Sequence, residues 1–171
     1  MVDLLLYLSD DAFDDGVITS PTDGVHSVMS NLASVGEAEW RAVPGGGDRS
    51  IADIVEHLAF AKKMYTEFGL QSTEDVSISE PVSAERTTAS MREAIEGLKL
   101  AHQRWRERLA RLSDDDLPVR RRTHWGETKA IQWFITTMIE HDLYHAGEIN
   151  HLRSLLQRRD NWGLLPGLPE R

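Results

Sequence analysis

The 171-residue chain contains no cysteine. Disulfides and thiolate metal sites are therefore excluded, and any transition-metal site must be built from imidazole, carboxylate or water. No lysine or arginine occurs before Arg41, and the formal net charge is -9. A nucleic-acid backbone is a poor partner for such a chain, because phosphate binding wants a basic field. The triplet Arg120-Arg121-Arg122 is a small exception and reads as a solvated loop. No apolar run is long enough to span a bilayer. The N-terminal MVDLLLYLSDD lacks a basic region and a small-residue cleavage site, so it is not a signal peptide. A cytoplasmic protein with neither nucleic acid nor membrane as partner is expected. Internal repeats, useful strand-like alternation and a second domain are also missing. The expectation is one domain, with a core at about 20–157, an N-terminal extension at 1–19 and a tail at 158–171.

What is present is helical periodicity. Val2–Val17 is apolar but too short to fix a period, and a short helix or ordered strap packed on the core is expected there. Ser20-Pro21-Thr22-Asp23 supplies an N-cap serine and a proline at the first helical position, after which Val25, Val28, Met29, Leu32 and Val35 share a face. Pro44–Gly47 is a loop. A second helix runs from Ser50, with Asp53 in capping-box position, to about Phe68, where Gly69 stops it. Residues 70–87 form a long polar connection. The third helix, about Thr88–Leu112, carries the stripe Met91, Ile95, Leu98, His102, Trp105, Leu109 and Leu112. The fourth, Lys129–Leu156, is the longest. Four amphipathic helices with wide apolar faces predict an all-α four-helix bundle.

The histidines are placed by the same periodicity. His141 and His145 lie four residues apart in the stripe Phe134, Met138, His141, His145, Ile149, Leu152, Leu156. His57 falls in the second-helix stripe with Ile54 and Ala61. One inward histidine is ordinarily a core residue; two in register can aim ring nitrogens at a common point. Three imidazoles would leave a coordination position for water or substrate, the catalytic pattern for zinc. His141-Asp142-Leu143-Tyr144-His145 departs from the zincin HExxH, since Asp142 is shorter than the required glutamate. Glu148, three past His145, is a candidate base or supporting residue. His102 reads first as a core histidine, with a fourth ligand as the alternative. His124 and Trp125 could line a pocket mouth, and Trp133 and Tyr144 read as packing residues.

Two segments, Ser50–Leu58 and Glu140–Ile149, resemble the DinB-like superfamily, which is related to bacillithiol and mycothiol S-transferases and to mycothiol-dependent maleylpyruvate isomerase. The likeness runs from about residue 20 to about 157. It implies that His57, His141 and His145 are the metal ligands, that the bundle has up-down-down-up order, and that homodimers and a divalent zinc or nickel ion are to be expected. Family members commonly have Gln-Ile where this chain has Glu148-Ile149, so no special role for that glutamate is implied. The resemblance does not deliver a reaction. The leading expectation is a metal-binding protein acting as a thiol-dependent S-transferase on a small-molecule substrate. A carboxylate-bearing low-molecular-weight thiol would want an arginine, for which Arg120, Arg121, Arg122 and Arg153 are candidates. The alternatives are a metal-dependent hydrolase, with Glu148 near the metal, and a non-catalytic metal-stabilised homodimer or sensor, with His102 closing the site.

Overall fold

The structure, a computed structural model, describes residues 1–14, 27–70 and 89–158. Among them lie six α-helices: α1 (Val2–Phe13), α2 (Val28–Leu32), α3 (Glu37–Trp40), α4 (Ile51–Gly69), α5 (Met91–Leu109) and α6 (Ile131–Gln157). The all-α class holds, but the expected four-helix bundle with up-down-down-up order is corrected to this six-helix arrangement. Two causes are visible. Val2–Phe13 is a full helix of the core, burying Val2, Leu5, Ser9, Ala12 and Phe13 at three- and four-residue spacings. In the described part of the expected first helix stands the short α2, and a separate short helix, α3, follows past Val35. Ser27, not Ser20, caps α2, its hydroxyl accepting from the Ser30 amide. The Ser20–Asp23 start signal, residues 71–87 of the long connection and the tail from 159 on lie outside the described residues.

The longer helices begin and end where their local chemistry directs. Ser50 caps α4 by a capping box: its Oγ accepts from the Asp53 amide at 3.3 Å, and Asp53 Oδ2 accepts from the Ser50 amide at 2.8 Å. Ser90 and Glu93 repeat this arrangement at α5. No side chain caps α6. Its first amides instead donate to backbone carbonyls of the preceding segment, Ile131 to Val119 at 2.9 Å and Gln132 to Leu117 at 3.0 Å. That segment holds an antiparallel hairpin, β1 (Arg120–Arg122) with β2 (Thr128–Ala130), Arg121 opposite Lys129. The expected solvated loop around Arg120–Arg122 is thus a strand, closed by a turn with Gly126 at φ +97°.

Packing fixes the helix directions. The first half of α4 (Ile51–Leu58) shares a buried cluster with Leu98, and Ala61 shares the next with Trp105 and Leu109, so α4 and α5 run parallel. Along α6 the order is reversed. A Cβ at Gly69 would lie 2.6 Å from Phe134, Lys62 meets Asp142, and Arg49 meets Glu148. α4 and α6 are therefore antiparallel, which sets the α4 histidine beside the two on α6. α1 lies across α5 and α6, where Trp105 Nε1 donates to Ser9 Oγ at 3.1 Å. Among the described residues no helix is long and apolar enough to cross a membrane.

Candidate metal centre

The ligand atoms of His57, His141 and His145 lie within 4.8 Å of one another, the one such histidine or acid cluster found among the described residues. His141 is central. Its Nε2 is 2.9 Å from His57 Nε2 and 3.2 Å from His145 Nε2. A tetrahedral ion with metal–nitrogen bonds of about 2.0–2.1 Å spans its ligand nitrogens at about 3.3–3.4 Å. The two spacings at His141 are close to such an edge and the third lies within 4.8 Å, so the donor set can close on a divalent cation.

Protonation supports the fit. His145 Nδ1 is 2.8 Å from Glu148 Oε2. A carboxylate can only accept, so Nδ1 carries the proton and Nε2 presents its lone pair to the centre. The His141 ring is held to a pKa of about 3, first by burial and then by the neighbouring His145 and His57. His57 is lowered as well, first by partial burial of its ring against the other two and then by His145 and Arg49, against a smaller raising effect of Glu148. With His57 and His141 disfavoured as cations, imidazoles crowded nitrogen to nitrogen make a site for a metal cation.

The three rings form a depth gradient. His145 is buried, His141 half-buried and His57 exposed. The inward placement expected for His57 is thereby corrected. The buried face of α4 is Ile51, Ala52, Ile54, Val55, Leu58, Ala61 and Lys62, and His57 stands at its edge. A site open on the His57 side follows.

Behind the histidines sits a pair that periodicity could have found. Lys62 Nζ donates to Asp142 Oδ2 at 2.5 Å, both side chains fully buried. Lys62 continues the spacing Val55, Leu58, Lys62, and Asp142 stands between Met138 and His145 among the buried α6 positions. Burial lowers the lysine's pKa and raises the aspartate's, each opposed by the partner's charge. Asp142 thus faces inward to a lysine and is no general base.

The remaining candidates separate clearly. Glu148 is engaged by His145 Nδ1 and, at 3.4 Å, by Arg49 Nη1. Arg120, Arg121 and Arg122 are on β1, opposite Thr128–Ala130, and Ala130 lies eleven residues before His141, about 16 Å along α6. Arg153 is buried eight residues past His145, donating to Asn150 and Gln157. None of these four is brought to the centre; Arg49 is, and its position in a loop gave no periodic signal. His102 is also elsewhere, stacked on Phe13 at 3.8 Å with Nε2 3.4 Å from Asp10. His124 and Trp125 pack with Phe68 and Trp133 at the hairpin end. Tyr144, expected to be packed, is exposed with its ring edge on His145.

The DinB superfamily profile matches residues 22–149. A crystal structure described as that of the conserved protein of a locus from Enterococcus faecalis superposes with a TM-score of 0.64 at 16% identity. The superposition covers 93% of this chain and 98% of that one, a likeness of fold. No curated protein matches the sequence.

Proposed function

The chain belongs to the DinB superfamily, and on that premise we propose that His57, His141 and His145 hold one divalent metal ion, zinc or nickel, used toward a small thiol. The observation that carries this is the convergence of three Nε2 atoms, with the far nitrogen of His145 tied to a carboxylate. When bound, such an ion supplies Lewis acidity and favours the thiolate form of a thiol near neutral pH.

The chain's own residues do the rest. The imidazoles offer three donors on two long antiparallel helices, which keeps the set rigid. Glu148 holds the proton at His145 Nδ1 and keeps that ring's tautomer fixed. Arg49, half-exposed beside Glu148, offers a guanidinium to a carboxylate on the incoming thiol. Exposure of His57 gives the thiol and an electrophile their side of approach.

Hydrolysis is the weaker reading, because it needs a carboxylate free to take a proton from water. Glu148 accepts from the outer nitrogen of His145 and pairs with Arg49. A closed, non-catalytic site needs a fourth protein ligand, and His102 packs on Phe13 instead. Homodimers and a cytoplasmic setting belong to the same proposal.

Metal content of untagged protein, measured by inductively coupled plasma mass spectrometry beside His57→Ala and His141→Ala, tests the centre. About one divalent ion per chain, lost in both variants, is expected. A protein that cannot be loaded with zinc or nickel sinks the reading. Loaded protein that turns over no thiol–electrophile pair, yet coordinates none of the thiols in a spectroscopic titration with cobalt, sinks the thiol assignment alone.

A further inference from the structure

A second site lies away from the histidines. Lys63, Thr66 and Glu67 share one face of α4; Ala101, Arg104, Glu107 and Arg108 line the adjoining face of α5, and Arg111 lies just past its end. Because the two helices run parallel and side by side, these faces enclose a groove with a cavity of about 370 Å³. That is within the roughly 300–1,000 Å³ typical of small-molecule sites. The small buried Ala101 leaves space at one end, and from Ala101 to Arg111 the groove runs about 15 Å along the axis.

Its charge opposes that of the chain. Overall, 28 acidic side chains face 19 basic ones, yet here four cations meet two carboxylates. Glu107 accepts from Gln103 Nε2 at 2.9 Å. Burial raises the Glu67 pKa, with Lys63 as the opposing charge. Arg104 and Arg111 make no ion pair or side-chain hydrogen bond among the described residues. The Arg104 and Arg111 guanidinium groups, spaced along the groove, match oxyanions carried at intervals on one molecule.

We propose that this α4–α5 groove binds a small organic polyanion, a molecule with two or more phosphate or carboxylate groups. It is independent of the metal centre: none of the three imidazoles lines it, and Lys63–Glu67 lie six to ten residues beyond His57, about 9–15 Å along α4. A nucleic acid is the poorer occupant, because the net charge of -9 repels a long phosphate backbone that a short cationic groove could not engage.

Isothermal titration of the full chain with tripolyphosphate and with citrate, at physiological salt, tests this. Wild type, Arg104→Ala/Arg111→Ala and His141→Ala are compared, with circular dichroism as the folding control. Saturable binding of at least one anion is expected, weakened tenfold or more in the double variant and unchanged in His141→Ala. The tighter anion distinguishes a phosphate ligand from a carboxylate one. Lys63→Gln, expected to weaken binding several-fold, decides the matter should the double variant fold poorly. Absence of heat with both anions, equal affinity in the groove variants, or loss in His141→Ala instead would each overturn the site. So would comparable affinity for a short DNA duplex.

Discussion

The Glu148–His145 contact allows a sharp test of how the centre is held. With Oε2 at 2.8 Å from Nδ1, the carboxylate fixes the tautomer that turns Nε2 inward. Removing it in Glu148→Ala frees the ring to protonate at the wrong nitrogen and to rotate. Losing such an outer partner typically costs 10–100-fold in metal affinity, which is about 1.4–2.7 kcal/mol. Glu148→Gln is the discriminating variant. Its amide oxygen still accepts from Nδ1, so the tautomer survives and only the carboxylate's charge is lost. That charge is already partly answered by Arg49 at 3.4 Å and sits on a side chain 23% exposed, so solvent and partner both dilute it. Glu148→Gln should therefore lose less than tenfold.

The assay is competition for zinc against a chromophoric chelator at pH 7.5, with His57→Ala as the lower bound. Ordering wild type ≥ Glu148→Gln > Glu148→Ala > His57→Ala is expected. Equal affinity of wild type and Glu148→Ala would refute the orienting role. A Glu148→Gln variant as weak as Glu148→Ala would show that charge, not tautomer, is what matters.

Other consequences concern stability. Burial, then Lys62 and Arg106, hold the His102 pKa down to about 2, so the folded state keeps this ring neutral while the unfolded chain protonates it below about 6.5. Its contribution is complete above pH 6.5 and is lost as pH falls toward 2, at about 1.4 kcal/mol per pH unit. Urea unfolding of metal-free protein at several pH values should show a shallower acid slope in His102→Gln by that order; an unchanged slope rejects it. Asp142→Asn strands the Lys62 ammonium in a buried site and should cost about 3–5 kcal/mol, whereas Lys62→Met/Asp142→Leu recovers most of it; equal losses in chemical denaturation would argue against a pair. In Gly69→Ala the new methyl meets the Phe134 ring at 2.6 Å, an overpacking worth about 1–3 kcal/mol, and a melting temperature no lower than wild type contradicts that contact. Ser9→Ala leaves the buried Trp105 Nε1 without its acceptor and should cost about 1–3 kcal/mol; no loss would show that α1 adds little to the core.

Local signals were legible where they were self-contained. The Ser50–Asp53 capping box marked the start of α4, and the stripe through Leu98, His102, Trp105 and Leu109 gave the buried face of α5. The three histidines were legible too, as spacing on two helices and as the family's motif. Helix edges were not. His57 and Tyr144 face solvent because the buried arc of each helix is set by its neighbours, and a periodic stripe leaves that arc uncertain by about a residue to either side. The six-helix architecture escaped for a similar reason. In Val2–Phe13 a run of apolar residues hid the spacing that only packing against α5 and α6 selects. Strand β1 is three arginines with no alternation, and pairing with β2 makes it a strand.

The buried ion pair explains how long helices can carry a site that tolerates little slippage. Apolar faces alone set the register of two antiparallel helices loosely, since one turn of sliding, about 5.4 Å, again matches aliphatic side chains to aliphatic side chains. Lys62 and Asp142 remove that freedom. Asp142 follows His141 directly and Lys62 lies five residues beyond His57, so the contact between them also fixes the separation of the imidazoles. Sliding by a turn would pull apart a lysine and an aspartate from which solvent is excluded, and an unmatched buried charge costs several kcal/mol. A hydrophobic pair of equal volume could fill the space as stably without penalising the alternative registers. The charges here act less on how firmly the protein folds than on which of its near-equivalent packings it adopts, and that choice decides whether three Nε2 atoms meet.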